Sequence, residues 1–189
     1  IMGENGSADY INTGSWSKKA MKEANFYGTV NIASSSEDRG FTYIPREHNL
    51  SADASYVHIT SNNTIEGTRY TEYPETGDVP LVADMSSNIL SEKIDVRKFG
   101  IIYAGAQKNL GPAGVTVVII RNDLVGKHLK NTPTMLRYDI HVENKSLYNT
   151  PSCFAIYMVG LVLEWLDNLG GVDEIEKINI EKATLLYEF

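Results

Sequence analysis

The chain has 189 residues, with 17 basic and 24 acidic side chains for a net charge of −7, and a single cysteine. That length suffices for a core burying roughly 70% of the surface an unfolded chain exposes. The lone Cys153 excludes a disulfide framework and points to a reducing compartment, expected to be the cytoplasm. In such a compartment the four Asn-X-Ser/Thr triplets beginning at Asn5, Asn49, Asn62 and Asn144 are chance matches. The acidic balance lacks the basic footprint of a nucleic-acid binder.

In chain order, short apolar runs predict strands over Asp9–Asn12, Gly28–Ala33, Tyr56–Thr60, Pro80–Ala83, Gly100–Ala104 and Val115–Ile120. Helical patterning predicts Ser17–Phe26, Cys153–Leu169 and Val172–Tyr187. Strands alternating with helices imply an α/β fold on a mostly parallel sheet flanked by helices. The β-branched run Val115–Ile120 predicts a strand covered on both faces. Phe154–Leu166 carries one charge but falls short of the roughly 20 residues a bilayer span needs, so a buried helix is expected. Gly170-Gly171 ends that helix. In the more charged helix after it, Val172, Ile175 and Ile178 mark one buried face. That change of character places a domain boundary near Gly171.

Chemistry concentrates after the apolar runs. The segment Phe99–Ala106 passes from a strand into small residues and presents Lys108 before the turn Gly111-Pro112-Ala113-Gly114. Strand carboxyl ends are where open α/β sheets bind ligands. Partial burial there lowers a lysine's pKa and frees the amine for Schiff-base chemistry, the alternative being a solvated loop lysine. Pro80–Ala83 runs directly into Asp84, which suits a helix N-cap, a metal ligand or a partner for a cationic ring nitrogen. With no His or Cys cluster beside it, Asp84 is a poor metal site. Together Lys108 and Asp84 suit pyridoxal 5'-phosphate, which needs an amine for its aldehyde and a carboxylate for its ring nitrogen. Trp16, after Thr13-Gly14-Ser15, offers a face to cover a planar ring or is ordinary core. Thr64, in a polar loop, bonds the ring's oxygen edge or merely stabilises a turn. Asn149-Thr150-Pro151 reads locally as a turn entering the helix at Cys153.

Five segments taken together resemble the phosphoserine aminotransferase family, class V aminotransferases of fold type I: Thr13–Trp16, Asn63–Gly67, Ala83–Ser87, Tyr103–Asn109 and Tyr148–Pro151. The resemblance runs through the whole chain in the family's order, and the segment around Lys108 is the most specific. It implies the large domain of that fold, a three-layer α/β/α architecture over 1–171, with 172–189 starting the linker helix and a small carboxyl-terminal domain. It also implies pyridoxal 5'-phosphate held by Lys108 as Schiff base and proton carrier, Asp84 at the ring nitrogen, Trp16 on the ring, Thr64 at its oxygen edge and Gln107 at its phosphate. Asn149 and Thr150 then reach the phosphate of a neighbouring subunit, so a homodimer completes each site. The implied reaction moves an amino group between glutamate and 3-phosphohydroxypyruvate, giving 2-oxoglutarate and O-phosphoserine for serine biosynthesis. In bacteria the family also serves pyridoxine biosynthesis. Another fold-type-I enzyme is the rival reading. The family's chain is longer on both sides, so this sequence is expected to be its cofactor-binding core, with little or no transaminase activity alone.

Overall fold

The computed structural model describes all 189 residues. Six of the apolar runs pair into one sheet because their backbone donors and acceptors have no other way to be satisfied in the interior. In chain order the strands of that sheet are β1 (Ser7–Asn12), β2 (Thr29–Ser35), β3 (Val57–Thr60), β6 (Leu81–Asp84), β7 (Ile101–Gly105) and β8 (Thr116–Ile120). A two-strand hairpin of β4 (Asn62–Asn63) and β5 (Thr68–Arg69) stands beside it. The spatial order is β2-β1-β3-β6-β7-β8, with every neighbouring pair parallel except β7 and β8.

Alternation along the strands builds two cores. Ile11, Val57, Ile59, Leu81, Ala83, Ile102 and Ala104 point to one face, where Tyr70, Met85, Phe99 and Val159 are among the others of a fourteen-residue cluster. The other face carries Ala8 and Tyr10, packed by Met21 and Ala24 of helix α1 (Ser15–Ala24). Further along that face, Val82 and Ile101 pack with Leu124. Three more helices follow: α2 (Tyr138–Glu143), α3 (Cys153–Leu169) and α4 (Val172–Tyr187). Because α3 meets the first face through Val159 and α1 meets the second, the sheet is flanked by helices on both sides.

Two packing expectations are corrected. Strand β8 is not covered on both faces: it closes the sheet edge antiparallel to β7, with Val118 and Ile119 exposed. The link 106–115 is too short and too turn-rich for the crossover that a parallel pairing needs, so the chain doubles back. Helix α3 is likewise not a buried helix. It buries Ala155, Val159 and Leu166, whereas Phe154, Ile156, Tyr157, Leu161, Leu163 and Trp165 remain exposed. Its apolar sequence runs around the helix, but the sheet offers only one surface to it. The buried side docks on the Gly111–Gly114 turn, where a Cβ on Gly111 would stand 3.2 Å from Val159. Gly170 ends α3 in the left-handed conformation, and half-buried Val172, Ile175 and Ile178 give α4 its inner side. No single helix is long and apolar enough to cross a membrane, and the pair α3 and α4 is bent by 84°.

Candidate active site

In a parallel array the carboxyl ends of β1, β3, β6 and β7 emerge on one edge, and the residues that follow them meet there. From β1 the chain moves outward to β2, then returns to the opposite side of β1 as β3. The strand order therefore reverses between β1 and β3, and that reversal opens the crevice where such sheets bind ligands. Trp16 follows β1 and Thr64 follows β3, one on each side of it.

A buried polar network sets both residues. Ser17 Oγ accepts from the backbone of Thr13 (3.0 Å) and Gly14 (2.9 Å) and donates to Asn12 Oδ1 (3.2 Å). Thr13 Oγ1 in turn donates to Asn63 Oδ1 (3.2 Å), tying the β1–α1 turn to β4. Glu66 closes the arrangement, with Oε1 accepting from the Ser15 backbone N–H (2.7 Å) and hydroxyl (2.8 Å). A carboxylate at that helix start satisfies a free N–H and complements the helix dipole. Glu66→Ala is expected to cost about 1 kcal/mol of stability, read as a lower urea midpoint.

On this frame the Trp16 indole N–H donates to Thr64 Oγ1 at 3.3 Å. Two ammonium groups stand over the indole ring: Lys108 Nζ at 4.8 Å from its centroid and Lys19 Nζ at 4.4 Å. Trp16 is half-buried and Thr64 exposed, so both are open to a ligand. Lys108 is also exposed, which corrects the expected partial burial. The small neighbours that leave room for an approaching ligand also leave the lysine in solvent.

Asp84 ends β6. Its Oδ1 accepts from the backbone N–H (2.9 Å) and hydroxyl (2.6 Å) of Ser86, a local turn cap that leaves Oδ2 to other partners. Ser86 Oγ also accepts from Gly105 N–H (3.1 Å), so one serine ties the ends of β6 and β7 together. Beyond Gly105, exposed Gln107 folds back until its amide would lie 2.6 Å from a Cβ at that glycine. The turn is closed by Leu110 and Gly111 N–H groups donating to the Ala106 carbonyl.

The structure thus gathers Trp16, Thr64 and Lys108 into direct contact and sets Asp84 and Gln107 on adjoining strand ends. Asn149 and Thr150 are not part of that group. Both are exposed between α2 and α3, and the Asn149 amide contacts Met135 Sδ at 3.0 Å. Sequence reasoning missed Lys19 and Ser86. Lys19 stands three residues after Trp16 on a helix, a spacing that places side chains side by side.

Residues 2–189 match the family model described as aminotransferase class-V. The chain belongs to that family. Class V relatives share its sequence closely: a phosphoserine aminotransferase of Desulfosudis oleivorans is 57% identical over 184 residues, 96% of this chain and 51% of the relative. Among solved structures, phosphoserine aminotransferase from Bacillus circulans subsp. alkalophilus superposes with a TM-score of 0.95 at 52% identity, over 98% of this chain and 52% of that one. The PLP-bound phosphoserine aminotransferase of Trichomonas vaginalis gives 0.92 at 39% identity, over 98% and 56%. The chain therefore spans about half the length of the class V relatives it matches.

Proposed function

We propose that the chain holds pyridoxal 5'-phosphate at the ends of β1, β3, β6 and β7 and forms the cofactor-binding part of a phosphoserine aminotransferase. The observation that carries this reading is the meeting of an amine, an aromatic face and a hydroxyl where strand order reverses, with a carboxylate at the end of the neighbouring strand β6. That donor set fits a planar, aldehyde-bearing anion. When bound, the cofactor supplies an electron sink for the bonds of the substrate's amino-bearing carbon.

The remaining work falls to the chain. Lys108 Nζ, exposed, is the amine that would hold the cofactor's aldehyde and the base that would carry the proton at the substrate's amino-bearing carbon. Trp16 covers the ring. Thr64 receives the indole N–H, which leaves its own hydroxyl proton for the ring's oxygen edge. Asp84, braced by Ser86, keeps the ring nitrogen protonated. Gln107 offers a neutral amide donor to the phosphate, and Lys19 adds positive charge to an otherwise acidic chain.

In the same reading the protein is a cytoplasmic homodimer in which Asn149 and Thr150 serve the partner's cofactor phosphate. Their exposure, and the uncovered apolar side of α3 beside them, support it. Residues 1–171 are then the cofactor-binding large domain, and α4 starts the link to a small domain. The substrates are glutamate and 3-phosphohydroxypyruvate, placing the enzyme in serine biosynthesis and in the pyridoxine route. Visible absorbance with added pyridoxal phosphate, discharged by borohydride, is the expected result for this chain. Absence of any band overturns the reading. Steady-state turnover of the two substrates is expected to be slight in this chain alone, and near-normal turnover refutes that part.

A further inference from the structure

Behind the ring-facing residues lies a line of aromatic side chains that the cofactor-holding role leaves unused. Alternation along β1, β3, β6 and β7 puts Tyr10, His58, Asp84 and Tyr103 on one face of the sheet. His58 is buried and stacks on Tyr10 with ring centroids 4.6 Å apart and 22° between planes. Its Nε2 is 2.9 Å from the Tyr103 hydroxyl, while its Nδ1 is buried without a partner. Tyr103 and Asp84 are register partners on adjacent strands, which brings their side chains together on that face.

The charge state follows from burial, which pushes His58 down to about 4 against a weaker opposing pull from Asp84. At neutral pH the imidazole is therefore neutral and carries a single N–H. A proton on Nδ1 would be a buried donor with nothing to bond, the rarest kind of unmet group in a protein interior. On Nε2 the same proton finds the Tyr103 oxygen. Tyr103 must then send its own proton elsewhere, and its register partner Asp84 offers a carboxylate acceptor on the same face. After burial, the Asp84 charge is the next cause holding the Tyr103 phenol above its ordinary pKa, and a hydrogen bond to that carboxylate acts the same way.

We infer that Tyr103 is a positioning residue: His58 donates through Nε2–H to its oxygen, and the Tyr103 hydroxyl donates to Asp84, orienting the carboxylate whose Oδ1 Ser86 already holds. This one-way chain rests on the role proposed for Asp84, but its direction can be tested without cofactor.

Nitrogen-15 NMR of the histidine-labelled, cofactor-free protein is expected to show the Nε2–H form of His58. Its signal should move in Tyr103→Phe, a variant that keeps the ring and its packing. An Nδ1–H form in the wild type overturns the inference, whatever the cofactor does. In a second arm, Tyr103→Phe should weaken pyridoxal phosphate binding about tenfold, as loss of one hydrogen bond to a charged group implies, with labelling of Lys108 retained. A folded variant that binds as tightly as wild type also overturns it. Wild-type protein that binds no cofactor refutes the cofactor reading instead, and the NMR result still decides the chain's direction.

Discussion

Lys108→Ala is expected to abolish all borohydride-stable incorporation of pyridoxal phosphate, whereas the wild-type chain takes up the label at that one residue. The contrast is all-or-none because only an amine condenses with the aldehyde. Lys19 makes the experiment demanding, since its ammonium stands as near the Trp16 ring as that of Lys108. Their attachment separates them. Lys108 sits in a closed turn directly after β7, while Lys19 lies on the exposed side of α1. Mass-spectrometric mapping after reduction distinguishes them, and label persisting on Lys19 in the Lys108→Ala variant contradicts the assignment.

The second large effect is on stability. His58 is neutral in the folded chain down to about pH 4, whereas an unfolded histidine takes up a proton near 6.5. As pH falls between those values the unfolded state binds the proton and the folded state does not, so stability declines with falling pH. The interval corresponds to about 3 kcal/mol lost by pH 4 on account of His58 alone. Burial also lowers the pKa of His48, which adds a smaller loss of the same sign. The carboxylates of Asp95 and Asp139, held at about 2 by hydrogen bonds from Arg97 and Arg137, lose their contribution only at lower pH, between 3.8 and 2. Urea unfolding at a series of pH values should therefore show a slope from pH 6.5 to 4 that is much flatter in His58→Gln. Parallel curves for the two proteins would refute the assignment to His58.

Much of the site is legible in the residues because it obeys local rules. Short apolar runs ending in Asp84, or leading within a few residues to Trp16, Thr64 and Lys108, are visible without a structure, and parallel pairing then carries their ends to one edge. Other features depend on what faces what. His58 is one polar residue in Tyr56–Thr60, and nothing in that run announces a tyrosine from β7 within hydrogen-bonding distance. The apolar content of β8 and α3 is plain in the sequence, but burial also needs a covering surface. The edge position of β8 and the single contact side of α3 leave much of that content exposed. Lys108 follows the same logic, because small neighbours admit solvent as readily as they admit a ligand.

The reversal of strand order between β1 and β3 has a thermodynamic consequence. The side chains assigned to one cofactor come from four different strand ends, spread along the chain from Trp16 to Lys108. A molecule bound to all of them acts as a reversible clamp between strands, absent from the unfolded chain because those residues are then dispersed. At a free ligand concentration a hundred times its dissociation constant, such a clamp adds about 2.7 kcal/mol to the unfolding free energy. Holding the cofactor and holding the sheet together are then one equilibrium.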